Sequence, residues 1–288
     1  MDMFKHLLKW NYKFLRYPIQ TSKIIFEDYQ KQKDKSIHLK HDFVWCVGLP
    51  KSGTTFIEQI FESLNYLSLT NSPFRICKDN DLTNSHRISH KMLENIKYKK
   101  KTYLKTHTHF FSEFENYVSL YKPKVIFSFR DLQDMMISRY FHILADKKHR
   151  FHHKVIDLSY HEGFKESLVL KSKIDEYFPL KYFYDWINNW KNYLKNKKDC
   201  LQMDYSKLIN SKQQYIYEIL KYLDIDEKSF EIILKRLEKN DSKKINKLDA
   251  QLNLVKPRTL NKFKPISKDE LLNNDVQNFY KKVMKEIE

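Results

Sequence analysis

The chain has 288 residues, and 53 Lys plus Arg against 36 Asp plus Glu leave a formal charge of +17. With 41% apolar and 31% charged residues it can bury a real core, which excludes global disorder, and its length fits one large or two ordinary domains. Cys46, Cys77 and Cys200 form neither a disulfide framework nor a zinc pattern, so a reducing, cytoplasmic setting is expected.

Residues 1–40 are aromatic and basic with a roughly helical period, then polar. They read as an N-terminal helical extension, with no apolar run long enough for a signal peptide or a membrane span. Phe43-Val44-Trp45-Cys46-Val47 is a short apolar run, which predicts a strand buried on both faces. After a loop, Thr54 and Thr55 open a helix whose apolar stripe is Ile57, Ile60, Phe61 and Leu64.

Residues 72–101 are polar and lack a clear period. Thr102-Tyr103-Leu104-Lys105 predicts a second strand, followed by Thr106-His107-Thr108-His109. Residues 124–129 form the clearest β run after the first, ended by Arg130-Asp131, and Met135, Met136, Tyr140, Ile143 and Leu144 mark the helix behind it. Residues 147–180, rich in His and Lys, read as irregular surface with short helices.

The chain closes with a helix over 182–194 carrying Trp186 and Trp190, a strand over 200–205, helices over 216–223 and 230–237, and a terminal helix over 271–287. Strands alternating with helices predict a single α/β domain over 41–288, with a central, mainly parallel sheet flanked by helices. Ligands on such sheets bind at the carboxyl ends of the strands. The loops after Val47, Lys105, Phe129 and Met203 should therefore meet on one rim.

Glycine directs attention to one of those loops. The chain has three, where average usage of about 7% would give roughly twenty, and two of them, Gly48 and Gly53, share the loop after the first strand. Gly48-Leu49-Pro50-Lys51-Ser52-Gly53-Thr54-Thr55 offers successive backbone amides, a helix start, a lysine and hydroxyls, which is the material of a phosphate cradle. It is not a Walker A loop. That pattern needs lysine where Thr54 stands, and here the lysine is Lys51.

Pro50-Lys51-Ser52-Gly53-Thr54-Thr55-Phe56 resembles the 5′-phosphosulfate loop of the cytosolic-type sulfotransferases. Leu104-Lys105-Thr106-His107 is similar to that family's K-T-H motif, which carries its catalytic histidine. Residues 125–138 resemble its 3′-phosphate motif, with Arg130 and Ser138 eight positions apart. Residues 184–208, with Trp190 and Asp204-Tyr205, resemble the helix and strand before its adenine-contacting tyrosine. The likeness runs in order over residues 43–223.

The resemblance implies a P-loop-like nucleotide-binding fold and a donor, 3′-phosphoadenosine 5′-phosphosulfate, from which a sulfuryl group passes to a hydroxyl or amine without a metal. It implies Lys51 at the leaving phosphate oxygen and Ser52, Gly53, Thr54 and Thr55 around the 5′-phosphate. Arg130 and Ser138 would take the 3′-phosphate, with Ser138 also restraining Lys51, and Phe56 and Tyr205 would take the adenine. His107 would be the base and Lys105 would stabilise the transferring group. His109 competes with His107, since it stands where the family usually has proline. The family's C-terminal R-K-G loop is missing, and Arg258, with Lys256 behind it, is the expected substitute.

Two other readings use the same features. A P-loop kinase shares the strand, glycine loop and helix, and Lys51 in place of a lysine at position 54 tells against it. The charge, with basic clusters at 97–101 and 147–150, admits a nucleic-acid binder, although such clusters are more often solvated faces. The expected partner is a small-molecule, sugar or lipid-linked acceptor lying against residues 72–101 and 147–179, with no specific nucleic acid.

Overall fold

Residue alternation on one central strand organises the larger half of the molecule. In the computed structural model the described residues are 43–68, 101–111, 114–147, 149–170, 178–239 and 265–288. The extension expected over 1–40, most of the 72–101 segment, Lys256 and Arg258 lie outside them. The chain falls into two compact units, one within Met1–Gly48, Gly53–Phe129 and Asn196–Leu260, the other within Leu49–Ser52, Arg130–Lys195 and Asn261–Glu288.

The first unit holds the sheet. Strands β1 (Phe43–Gly48), β2 (Leu67–Ser68), β3 (Thr102–Thr106), β4 (Lys124–Phe129) and β5 (Cys200–Asp204) lie in the order β2-β3-β1-β4-β5. Every pairing is parallel, with Val47 opposite Thr106, Gly48 opposite Ser128 and Phe129 opposite Asp204. The carboxyl ends of β1, β3, β4 and β5 therefore share one edge. β1 is buried along its whole length, which is why it reads as an unbroken apolar run. Strand order reverses around β1, so the loop that follows it leaves from the switch point where ligands of such sheets bind.

Period-two alternation divides the strand residues between two faces. Val44, Cys46, Tyr103, Ile126 and Met203 belong to the main core cluster, built with helices α1 (Thr54–Ser63), α8 (Lys212–Leu223) and α9 (Ser229–Lys239). On the other face Trp45 packs against Phe114, with ring centroids 4.8 Å apart, and donates from Nε1 to Thr106 Oγ1 at 3.1 Å. Phe114 opens α2 (Phe114–Tyr121), a helix that the sequence reading had not predicted. Its apolar stripe is too short to stand out, with only Phe114 and Tyr117 buried.

The second unit is helical, comprising α3 (Leu132–Ala145), α4 (His152–Val155), α5 (Tyr160–Val169), α6 (Pro179–Leu194), α10 (Lys268–Leu271) and α11 (Asn274–Ile287). The segment expected to be irregular surface with short helices contains α4 and α5, the latter a ten-residue helix capped by Ser159 and anchored by Phe164 and Leu168. Its Gly163 is the third glycine: a Cβ there would stand 2.5 Å from the Tyr140 hydroxyl. The expected terminal helix is broken in two, because Asn273 starts α11 afresh by accepting from Val276 N. In the first unit a six-residue helix, α7 (Tyr205–Asn210), follows β5 directly.

Candidate functional site

The turn from β1 into α1 is built by two left-handed residues. Lys51 has φ 65° and Gly53 φ 87°, and at Gly53 a Cβ would meet Tyr205 and Leu208 side-chain atoms at 2.9 Å, so only glycine fits without displacement. Gly53 is also the N-cap of α1, and no side chain caps that helix. The first amides of α1 thus start a helix dipole with neither a capping side chain nor an acidic residue in the first turn. Ser52 is fully buried, and its hydroxyl donates to the Leu49 carbonyl at 2.5 Å, closing the turn on itself.

Within the second unit, Arg130 donates from Nη1 to the Lys51 carbonyl at 2.9 Å. Asp131 accepts from Asp134 N and caps α3. Burial, reinforced by the Arg130 charge, pulls the Lys51 ammonium down from its ordinary 10.5 to about 8, against an opposing pull from Asp146. Burial and then Lys51 itself lower the His142 imidazole, against Asp146. Ser138, half-buried on α3, belongs to this unit. Lys51 is thus depressed first by burial and then by the Arg130 charge.

Within the first unit, His107 follows β3 directly and its Nδ1 lies 2.6 Å from the Gly48 carbonyl oxygen. A carbonyl only accepts, so Nδ1 is the donor of this hydrogen bond. The K-T-H strand end is thereby bonded to the residue that begins the loop. His109 is half-buried two residues on, beyond the fully buried Thr108, whose hydroxyl donates to the His109 carbonyl at 3.1 Å.

Lys105, in the K-T-H segment, pairs with a carboxylate of α1. Its Nζ meets Glu58 Oε2 at 2.7 Å, with side-chain exposures of 9% and 0%. Burial alone would lower this ammonium, but the Glu58 charge and hydrogen bond carry it above its ordinary value. Tyr103 donates its hydroxyl toward Glu58 Oε1 at 3.1 Å and Glu62 Oε1 at 3.2 Å. The reading of motifs missed Glu58. Its signal was a carboxylate on the buried stripe of α1, between Ile57 and Ile60, where an ionised group requires a partner.

Phe56 and Tyr205, the expected adenine contacts, are core residues at 3% and 7% exposure. Phe56 packs edge-on against Tyr215 with centroids 6.0 Å apart, and the Tyr205 ring lies over Gly53. Among the described residues no helix is long and apolar enough to cross a membrane.

Comparison with known proteins bears on this arrangement. The mouse sulfotransferase SULT7A1, solved in complex with PAP, is similar in fold, with a TM-score of 0.56 and 16% identity over 90% of this chain and 88% of that one. Retinol dehydratase, solved in complex with androsterone and the inactive cofactor PAP, gives 0.46 and 14% over 85% and 80%. No curated protein matches the chain in sequence. The model of the sulfotransferase domain matches residues 41–287, nearly all of the chain after the first forty residues, and the chain belongs to the sulfotransferase family.

Proposed function

We propose that this protein transfers a sulfuryl group from 3′-phosphoadenosine 5′-phosphosulfate to a hydroxyl or amine on a small-molecule, sugar or lipid-linked acceptor, with His107 as the base. The observation that supports it most is the hydrogen bond between His107 Nδ1 and the Gly48 carbonyl. It joins two motifs far apart in sequence and commits Nδ1 to the loop, so Nε2 is the nitrogen this reading assigns to the acceptor. The uncapped start of α1 and the Arg130 charge beside Lys51 both favour an anionic ligand.

The donor supplies an activated sulfuryl group whose bond to the 5′-phosphate oxygen breaks as the acceptor attacks. In this reading the amides of Thr54 and Thr55 hold the 5′-phosphate, and Lys51 neutralises charge growing on the leaving oxygen. Ser52, whose hydroxyl is already given to Leu49, fixes the shape of the loop. Arg130 and Ser138 hold the 3′-phosphate, and Arg130 at the same time steadies the Lys51 backbone. Tyr205 and Leu208 back Gly53, and Phe56 and Tyr205 remain the residues assigned to the adenine. His107 Nε2 takes the acceptor's proton, a contribution of about 10²–10⁴ in rate.

A thermal-shift comparison of 3′-phosphoadenosine 5′-phosphate with ATP–Mg²⁺, paired with labelled-sulfate transfer to alcohols, phenols, amines, sugars and glycolipids, tests this. Stabilisation by the 3′-phosphorylated nucleotide and transfer to at least one acceptor class are expected. Stabilisation by ATP–Mg²⁺ alone would assign the loop to phosphoryl transfer, and steeply salt-dependent DNA binding with no nucleotide affinity would remove the enzyme reading.

A further inference from the structure

We propose that Glu58 and Lys105 are positioning residues, a buried pair that seats His107 on the Gly48 carbonyl, and that Lys105 makes no contact with the transferring group. The inference rests on the sulfotransferase reading above and departs from the role that the K-T-H motif assigns to its lysine.

The pair joins the two elements that end at the site. Glu58 lies one helical turn into α1 from Thr54, on the stripe that faces the sheet. Lys105 stands opposite Cys46 in the β1–β3 register and one alternation before His107, so in an extended strand end both project to the same face. The 2.7 Å contact therefore fixes the last turn of chain before His107 against the first turns of the helix that follows the loop. On the opposite face Trp45 Nε1 binds Thr106 Oγ1, so the strand end is gripped from both sides. His107 Nδ1 then meets the Gly48 oxygen across a distance of 2.6 Å, a geometry that a small displacement of residues 105–106 would open.

Charge leads to the same assignment. An ammonium bonded to a fully buried carboxylate is half of a neutral pair and offers little net field to a second anion. Glu58 accepts from Tyr103 through its other oxygen, so the carboxylate is held from two sides and the pair is rigid. Removing one partner strands the other charge in the core, whereas removing both restores neutrality.

A cycle of Glu58→Gln, Lys105→Met and the double variant separates positioning from contact. Affinity for 3′-phosphoadenosine 5′-phosphate and melting temperature serve as checks of fold. Glu58→Gln should lower kcat by about tenfold or more, with the donor KM and nucleotide affinity within about threefold, because the strand end is released. It leaves the Lys105 ammonium in place and frees it, so an unchanged or raised kcat would show that Lys105 acts on the transferring group and overturn the proposal.

The folded double variant should be more active than Lys105→Met alone. If it is equally poor or poorer, the proposal fails. The nitrogen NMR signals of the His107 ring should show Nδ1 protonated in the wild type, mix tautomers in each folded single variant, and return in the double variant. A His107 signature unmoved by Glu58→Gln would also sink the idea. Absence of nucleotide binding or transfer in the wild type would count against the sulfotransferase reading instead, while the His107 signals would still report on the pair.

Discussion

Lys105, buried, and Lys51, half-buried, stand in opposite electrostatic settings. Lys105 is bonded to Glu58 and held above its ordinary pKa, while burial and Arg130 pull Lys51 down to about 8. The first belongs to a region that satisfies itself: Glu58, Tyr103, Trp45 and Thr106 all have partners from neighbouring elements. The second has the Arg130 charge beside it and an uncapped helix start in the adjoining turn. A completed network holds a group in place, and a cation with a second cation beside it suits an anion. The sequence writes lysine in both places, and only the partner distinguishes them.

The largest effect should come from the self-satisfied region, because the base is seated there. His107→Gln should lower acceptor sulfation by about 10²–10⁴ with nucleotide binding retained, and His109→Ala should cost less than about threefold. Reversal of that order would move the base to His109 and unseat the comparison. Lys51→Ala comes next, with a loss of about 10²–10³ in kcat and a much smaller loss of donor affinity, as for removal of a group that meets charge only in the transition state. Equal losses in both would make Lys51 a simple binding group.

Arg130→Ala should weaken 3′-phosphoadenosine 5′-phosphate by roughly 10–100-fold, the worth of hydrogen bonds to a charged group, and barely change the affinity of the 3′-dephosphorylated analogue. Calorimetric titration of both nucleotides measures this. A pH series sharpens the contrast between the lysines further. Lys51 is charged below pH 8 and loses its proton above it, so kcat/KM with a non-ionising alcohol should fall by about tenfold per pH unit beyond pH 8. Lys51→Arg should remove that limb, because guanidinium stays protonated. Gly53→Ala should be the mildest on chemistry and show in stability, at about 1–3 kcal/mol by chemical denaturation, since alanine is strained at φ 87° and its Cβ meets Tyr205 and Leu208.

Much of this was legible in the residues. β1 and β4 announce themselves as apolar runs because the middle of a parallel sheet is buried on both faces, and the scarcity of glycine pointed to the loop. What escaped has physical reasons. β2 is two residues long, too short to carry a period. α5 hides in a basic segment because only one narrow stripe of it, around Phe164 and Leu168, is buried. Lys105 matched a motif by identity, but its partner Glu58 lies 47 positions earlier, and single-sequence spacing says nothing about which helix residue will face which strand residue. Phe56 and Tyr205, expected at the adenine, are 3% and 7% exposed, a degree of burial that residue type alone does not convey.

The position of β1 bears on how the protein is made. Its hydrogen-bonding neighbours are Thr102–Thr106 on one side and Lys124–Phe129 on the other, so a chain emerging from the ribosome exposes the apolar FVWCV stretch long before either partner has been synthesised. Pairings this distant in sequence form slowly, and an unpaired strand of that composition is a template for association with other chains. Holdase chaperones that shield nascent apolar segments should therefore raise the yield of this protein, and the sheet is complete only once β5, Cys200–Asp204, has been synthesised.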